Sequence, residues 1–136
     1  MLTENLAYAL VQVAHNLGAV AVAGGALFAL WPAHDVQNAR QFAWLIFLGW
    51  GLQIASGALF GVTSLYYYGE TPDLSAVALA ALAVKVLAAV SGFLLGAYYL
   101  RWGKHCSRLC TQRIFKALAS LGVIALTAAA FLRWFS

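Results

Sequence analysis

Four stretches of the chain are apolar with hardly a break: residues 6–31, 41–68, 74–100 and 114–135. Crossing the hydrocarbon core of a bilayer takes roughly 20 residues of α-helix, and each stretch exceeds that. None alternates apolar and polar residues with period two, as a strand of a transmembrane barrel would. The pattern therefore predicts four helices. Polar positions mark their ends. Thr3 and Glu4 suit a cap and an acidic first turn for the first helix. Trp31-Pro32 closes it, followed by the polar residues His34, Asp35, Gln37, Asn38 and Arg40. Tyr66, Tyr67 and Tyr68 finish the second helix as an aromatic belt. Thr71-Pro72-Asp73 reads as N-cap, first-turn proline and first-turn acid of the third, which ends at Arg101-Trp102-Gly103-Lys104. Connections this short make sequential neighbours antiparallel.

Composition adds an exclusion. Of 136 residues, 64% are hydrophobic and 9% charged, against about half and a quarter in soluble domains. Four spans leave too little chain for a soluble domain beside them. The expectation is one all-α domain over 1–136, an integral membrane antiparallel four-helix bundle. The first span is expected to be retained, because it has no basic n-region before Glu4 and is too long for a signal h-region.

Charge then sets a direction. Arg101, Lys104, Arg108, Arg113 and Lys116 crowd the third connection and Arg40 lies in the first, on the same side of a four-span bundle. Glu4, Glu70, Asp73 and Arg133 mark the other side. The positive-inside rule places the basic connections in the cytoplasm and both termini on the periplasmic side of a bacterial inner membrane. The net charge of +4 thus concerns topology and lipid head groups, and no nucleic-acid motif accompanies it. Cys106 and Cys110 fall in the basic connection, where a reducing compartment disfavours a disulfide.

Ionisable residues inside a span are costly and mark function. Two qualify, His15 and Lys85. Each lies roughly 15–18 Å below the outer end of its helix, so they share a layer. At about 100° per residue, Gly18, Ala19, Val22 and Ala26 flank His15, while Ala78, Ala81, Ala88, Ala89, Gly92 and Gly96 flank Lys85. Gln53, with Gly57 and Gly61 on a neighbouring stripe, and Thr127 lie at similar depth; Trp50 shares the Gln53 face. Small residues beside a buried polar group have two explanations. They let helices approach, with His15, Gln12, Asn16 and Gln53 hydrogen-bonding between helices, or they line a slot for a flat cofactor ligated by His15. Lys85 favours the second, since packing does not require a mid-span lysine and its stem reaches the head groups poorly from that depth. His105, Cys106 and Cys110 form a second cluster with a four-residue thiol spacing usable for a soft metal. Its plainer reading is reduced surface thiols or acylation sites. There is no phosphate loop, nucleophile elbow or carboxylate pair, which excludes hydrolysis by two carboxylates.

These residues carry a family resemblance. His15 is followed nine and ten residues later by Gly24-Gly25, then come Arg40-Gln-Phe-Ala, Ser56-Gly57, Lys85 and Leu95-Gly96-Ala97-Tyr-Tyr-Leu-Arg101. The order resembles the membrane domain of the copper-resistance D (CopD) family, itself distantly similar to HemJ, the haem-binding membrane protoporphyrinogen oxidase. The resemblance implies a four-helix inner-membrane domain in which His15 and Lys85 are associated with haem b, or, in the CopD branch, with copper uptake or resistance. Val22 departs from the tryptophan usual in both branches, and the Asn-Glu-Pro type signature of HemJ is absent.

Three classes of function follow, in this order. The first is a haem b-binding redox or electron-transfer protein, with His15 as axial ligand and Lys85 or Gln53 for the propionates, leaving the iron five-coordinate or ligated also by Lys85. Gln12, Gly18 and Gly92 would complete that site. The second is copper transport, for which the interior offers His15 alone where Cu(I) favours sulfur. The third is an accessory subunit of a larger membrane complex or a homodimer, packed through Gly57/Gly61 and Gly92/Gly96. All three describe a binding or electron-transfer subunit rather than a stand-alone enzyme.

Overall fold

A computed structural model describes residues 1–31, 38–70 and 73–136. Four helices form α1 (Leu2–Ala29), α2 (Ala39–Tyr68), α3 (Ala76–Trp102) and α4 (Arg108–Phe135), with a 3₁₀ turn, Gly103–His105, before α4. All four are long and apolar enough to cross a membrane.

The helices are those the apolar pattern requires, but several ends differ. Helix α1 begins at Leu2 with Met1 at its N-cap and no side-chain cap, so Thr3 lies within the first turn instead of capping it. Its last helical residue is Ala29, two before Trp31. Pro32, His34, Asp35 and Gln37, like Thr71 and Pro72, lie outside the described residues. Helix α3 is capped by Ser75, whose hydroxyl accepts from the Ala78 N–H, rather than by Thr71. The largest difference is α4, which starts six residues before the apolar run. Ser107 caps it by accepting from the Cys110 N–H, and this cap draws the polar segment Arg108–Arg113 into the helix. Gly69 ends α2 in the left-handed region (φ 73°), which glycine enters without a Cβ penalty.

The helices form a ring in which each packs on its sequential neighbours and α4 returns to α1. Pairings read along the chain show the antiparallel order. Glu4 meets Tyr68, His15 meets Ser56, and Gly25 lies against Ile46; Ser75 meets the carbonyl of Phe135, and Tyr99 meets Thr111. Both termini therefore lie at one end, the terminal end. At the other, the loop end, Arg40 donates from Nη1 to the Leu100 carbonyl at 3.1 Å, tying α2 to the close of α3.

Small residues fill the interior. Ala26, Ala43 and Ala78 are fully buried, while Leu17, Val20, Leu87 and Leu94 point outward with 60–70% of their surface exposed. A water-soluble bundle would place them the other way round. Bulk enters the interior mainly in the loop-end half, through Ile46, Trp50, Phe115 and Leu118. Trp50, 1% exposed, is accommodated by a glycine: a Cβ on Gly92 would sit 2.2 Å from Trp50 Cε2. Gly96 differs: a Cβ there would lie 3.4 Å from Phe47 Cβ, an ordinary van der Waals contact. Gly57 and Gly61 behave differently, with nothing within 4 Å of a Cβ built on either.

Gly92 and Gly57 should therefore respond oppositely to alanine. Gly92→Ala is expected to cost about 1–3 kcal/mol by overpacking against Trp50. Gly57→Ala should leave stability unchanged or slightly raised, since glycine is a poor helix former. Unfolding titrations in mixed micelles check both; equal effects would refute the assigned packing.

Candidate functional site

Among the interior polar groups, three helices converge on one histidine. His15, on α1, turns its ring toward α2 and α3 and is partly buried there. Its Nδ1 lies 2.7 Å from Ser56 Oγ of α2, and its Nε2 lies 2.9 Å from Lys85 Nζ of α3. Phe60 presents an edge to the imidazole with centroids 5.6 Å apart, and Tyr8 backs Phe60 at 6.4 Å.

The hydrogens of this chain are assigned from the contacts of the heavy atoms. With Lys85 as the donor, Nε2 accepts. The neutral imidazole then carries its hydrogen on Nδ1 and donates to Ser56 Oγ. The serine hydroxyl in turn donates to the Leu52 carbonyl at 2.6 Å. Each group from Lys85 to Leu52 passes one donor to the next, and no nitrogen of the ring is left bare. A metal-ligating histidine also has one ring N–H anchored, but here the lone pair of the other nitrogen is taken by Lys85.

Local sequence explains why these groups meet. Gly18 is one turn from His15 and faces α2; a Cβ there would lie 3.0 Å from Gln53 Nε2 and 3.1 Å from the Gly49 carbonyl. The missing side chain lets the Gln53 amide reach in and donate to the backbone carbonyl of His15. Gln53 and Ser56, three residues apart on α2, thus grip the same residue by backbone and ring. Neither is a stray polar group, and both are buried.

Of the residues expected at the site, His15, Lys85 and Gln53 come together. Gly18 and Gly92 do not line an open slot, because Gln53 fills the space beside the first and Trp50 the space beside the second. Gln12 is elsewhere, donating to Asn16 Oδ1 at 2.8 Å on an exposed face of α1. Thr127 bonds the Val123 carbonyl and lines a groove of about 420 Å³ between α3 and α4 that shares no residue with the histidine cluster. The expectation of free thiols at the loop end is also corrected. Cys106 and Cys110 are joined as a disulfide, their Cα atoms 5.4 Å apart. The early start of α4 is the reason: the turn at Ser107 brings Cys106 back against the first turn of the helix. Paired sulfurs are not thiolates, and the described residues contain no group of three or more His, Cys, Asp or Glu placed to hold a metal ion.

Gly57 and Gly61 fall within about 20° of Trp50 on α2, and Lys85 within about 20° of Gly92 on α3. Both α2 glycines are exposed, with nothing within 4 Å of a Cβ built on either. Ser56 and Phe60 join the site without having been singled out as its members. The three-residue spacing Gln53–Ser56 on an apolar helix was the available signal for the serine; nothing in the sequence distinguished Phe60 from lipid-facing aromatics.

The chain matches no protein-family model, no curated protein and no solved structure.

Nitrogen NMR on ¹⁵N-histidine-labelled protein in micelles tests the hydrogen-bond assignment. His15 should give a protonated Nδ1 and an unprotonated Nε2. The reverse tautomer would overturn the chain from Lys85 to Leu52.

Proposed function

We propose that this chain is a small multi-pass protein of a bacterial inner membrane in which His15 ligates haem b in a redox or electron-transfer role, as the CopD/HemJ resemblance implies. The observation that carries the reading is the imidazole itself, fixed through Nδ1 by Ser56 and met at Nε2 by Lys85, the two ionisable groups of the spans in direct contact. Gly18 and Gly92 are filled, so neither opens a slot beside the imidazole, and Gly57 and Gly61 are exposed on α2. Held by His15, haem b would supply a one-electron redox couple. The chain's own residues orient the imidazole, bring a cation to the site and surround it with apolar side chains.

Membrane insertion is supported by four helices of spanning length and by large aliphatic side chains on their outer faces. The lipid bilayer is then the first partner, and further membrane subunits, a second copy or a redox protein would be others. Orientation rests on six basic residues at the loop end, Arg40, Arg101, Lys104, Arg108, Arg113 and Lys116. One observation pulls the other way: the Cys106–Cys110 disulfide lies at that same end, and disulfides persist in oxidising compartments.

Two measurements decide these points. Alkaline phosphatase fused after Ser136 should be active, and fused after Lys104 inactive; the opposite result would invert the bundle and favour the disulfide. Protein purified in detergent from haem-replete cells should show a Soret band, shifted on dithionite reduction and lost in His15→Ala. A colourless protein would sink the haem reading. Copper in the same sample would turn the assignment to copper handling, and a preparation without either would favour an accessory subunit.

A further inference from the structure

The Cys106–Cys110 disulfide joins no two spanning helices. It links the residue after the 3₁₀ turn to the first turn of α4, and Ser107, Arg108 and Leu109 are all it encloses. Backbone and cap already hold that turn. Cys106 N–H donates to the Gly103 carbonyl at 3.0 Å, Cys110 N–H to Ser107 Oγ at 3.1 Å, and Thr111 N–H to the Ser107 carbonyl at 2.9 Å. A cross-link stabilises a fold by restricting the unfolded chain, and does so more as its loop lengthens. A loop this short contributes little to the bundle.

The surroundings suit a bond that opens. Neither cysteine is buried. The pair stands at the N-terminus of α4, a helix of 28 residues, where the backbone dipole favours negative charge. Arg101, Lys104, Arg108, Arg113 and Lys116, all exposed, lie within six residues of one cysteine or the other. No Asp or Glu follows Asp73 in the chain, so this connection offers its cations no acid. Asp35, on the other connection of the loop end, lies outside the described residues. Helix terminus and cations both stabilise the thiolate that a broken disulfide releases, and a stabilised thiolate leaves readily.

We propose that Cys106 and Cys110 are a redox-active pair that exchanges with low-molecular-weight thiols carrying acid groups, glutathione being the representative of that class. An entering thiolate bonds to one of the two sulfurs, the Cys106–Cys110 bond breaks, and the other sulfur leaves as a thiolate. A second thiol then displaces the first as its disulfide. Two small thiols are oxidised, the protein disulfide is reduced, and the two thiol protons finish on Cys106 and Cys110. The reverse exchange, with the oxidised small thiol, restores the bond. The cations select the reactant, drawing an anionic thiol and repelling a cationic one. This site is independent of the haem reading. It also reconciles the disulfide with a cytoplasmic loop end, where the pair would rest as the dithiol and close when the thiol pool is oxidised.

Reduction of the oxidised protein in a non-ionic detergent tests the exchange, with alkylation of the freed thiols as the readout. Rates are taken per thiolate and normalised to those with a small neutral disulfide. At low ionic strength, glutathione and 2-mercaptoethanesulfonate should react roughly 10-fold or more faster than cysteamine, and about 1 M salt should bring the rates together. Lys104→Glu combined with Arg108→Glu should reverse the order. A glutathione buffer of cytosolic ratio should hold the wild type mainly reduced. Cys106→Ser combined with Cys110→Ser should abolish exchange yet leave the unfolding midpoint in mixed micelles unchanged, which removal of a structural staple would not do. Equal rates for anionic and cationic thiols, or an order that survives the double charge reversal, would overturn the proposal. So would a pair that stays oxidised in the cytosolic buffer, one that never closes under oxidised glutathione, or a lowered midpoint in the double-serine variant.

Discussion

A partly buried imidazole among apolar side chains is best satisfied when both of its nitrogens find partners on neighbouring helices. That requirement orders the centre of this molecule. Ser56 on α2 takes one nitrogen and Lys85 on α3 the other, which pins α1 against two helices at a single level. The Gln53 amide then reaches the His15 carbonyl only because Gly18 has no side chain. Removing any one group would leave another buried and unpaired, a cost of about 1–3 kcal/mol for a neutral group and more for the lysine. The polar centre thus fixes helix register, which apolar packing alone does loosely among interchangeable alanines.

Small side chains serve two different ends along α2 and α3. At Gly92 they receive a large side chain, Trp50, and let two helices touch. At Gly57 and Gly61, on the same stripe of α2 two and three turns further on, they receive nothing. A glycine that has accepted a tryptophan is spent as packing, whereas one with no neighbour leaves room. Trp50 makes the distinction at some expense, since its buried indole Nε1 has no hydrogen-bond partner. Its ring is held where its volume fits rather than where its N–H would be satisfied.

The long-range features were the legible ones. Four uninterrupted apolar runs dictated four helices, and the depth of His15 and Lys85 along their helices placed them in one layer, where they lie 2.9 Å apart. Helix ends were less legible. The capping serines, Ser75 and Ser107, stand beside other acceptable caps, and the choice between Thr71 and Ser75 depends on where the preceding turn delivers the chain. Ser107 also pulls α4 through a charged segment that hydropathy assigns to a loop, and so brings Cys106 to Cys110. Facing was the hardest property to read. A glycine stripe looks the same in sequence whether a tryptophan packs on it or it stays exposed, so Gly92 and Gly57 could be told apart only by what lies opposite.

The hydrogen bonds at the two ends divide unevenly. At the terminal end, Glu4–Tyr68 closes the α1–α2 hairpin and Ser75–Phe135 the α3–α4 hairpin, each within itself. The Arg40–Leu100 bond and the Trp50–Gly92 contact join one hairpin to the other, and both lie toward the loop end. Midway along the bundle Lys85 on His15 adds a third tie between the hairpins. The two hairpins are thus clasped to each other from the loop end to mid-height, and each is closed within itself at the terminal end, so the order of fastening along the bundle runs opposite to the order in which the chain begins and ends.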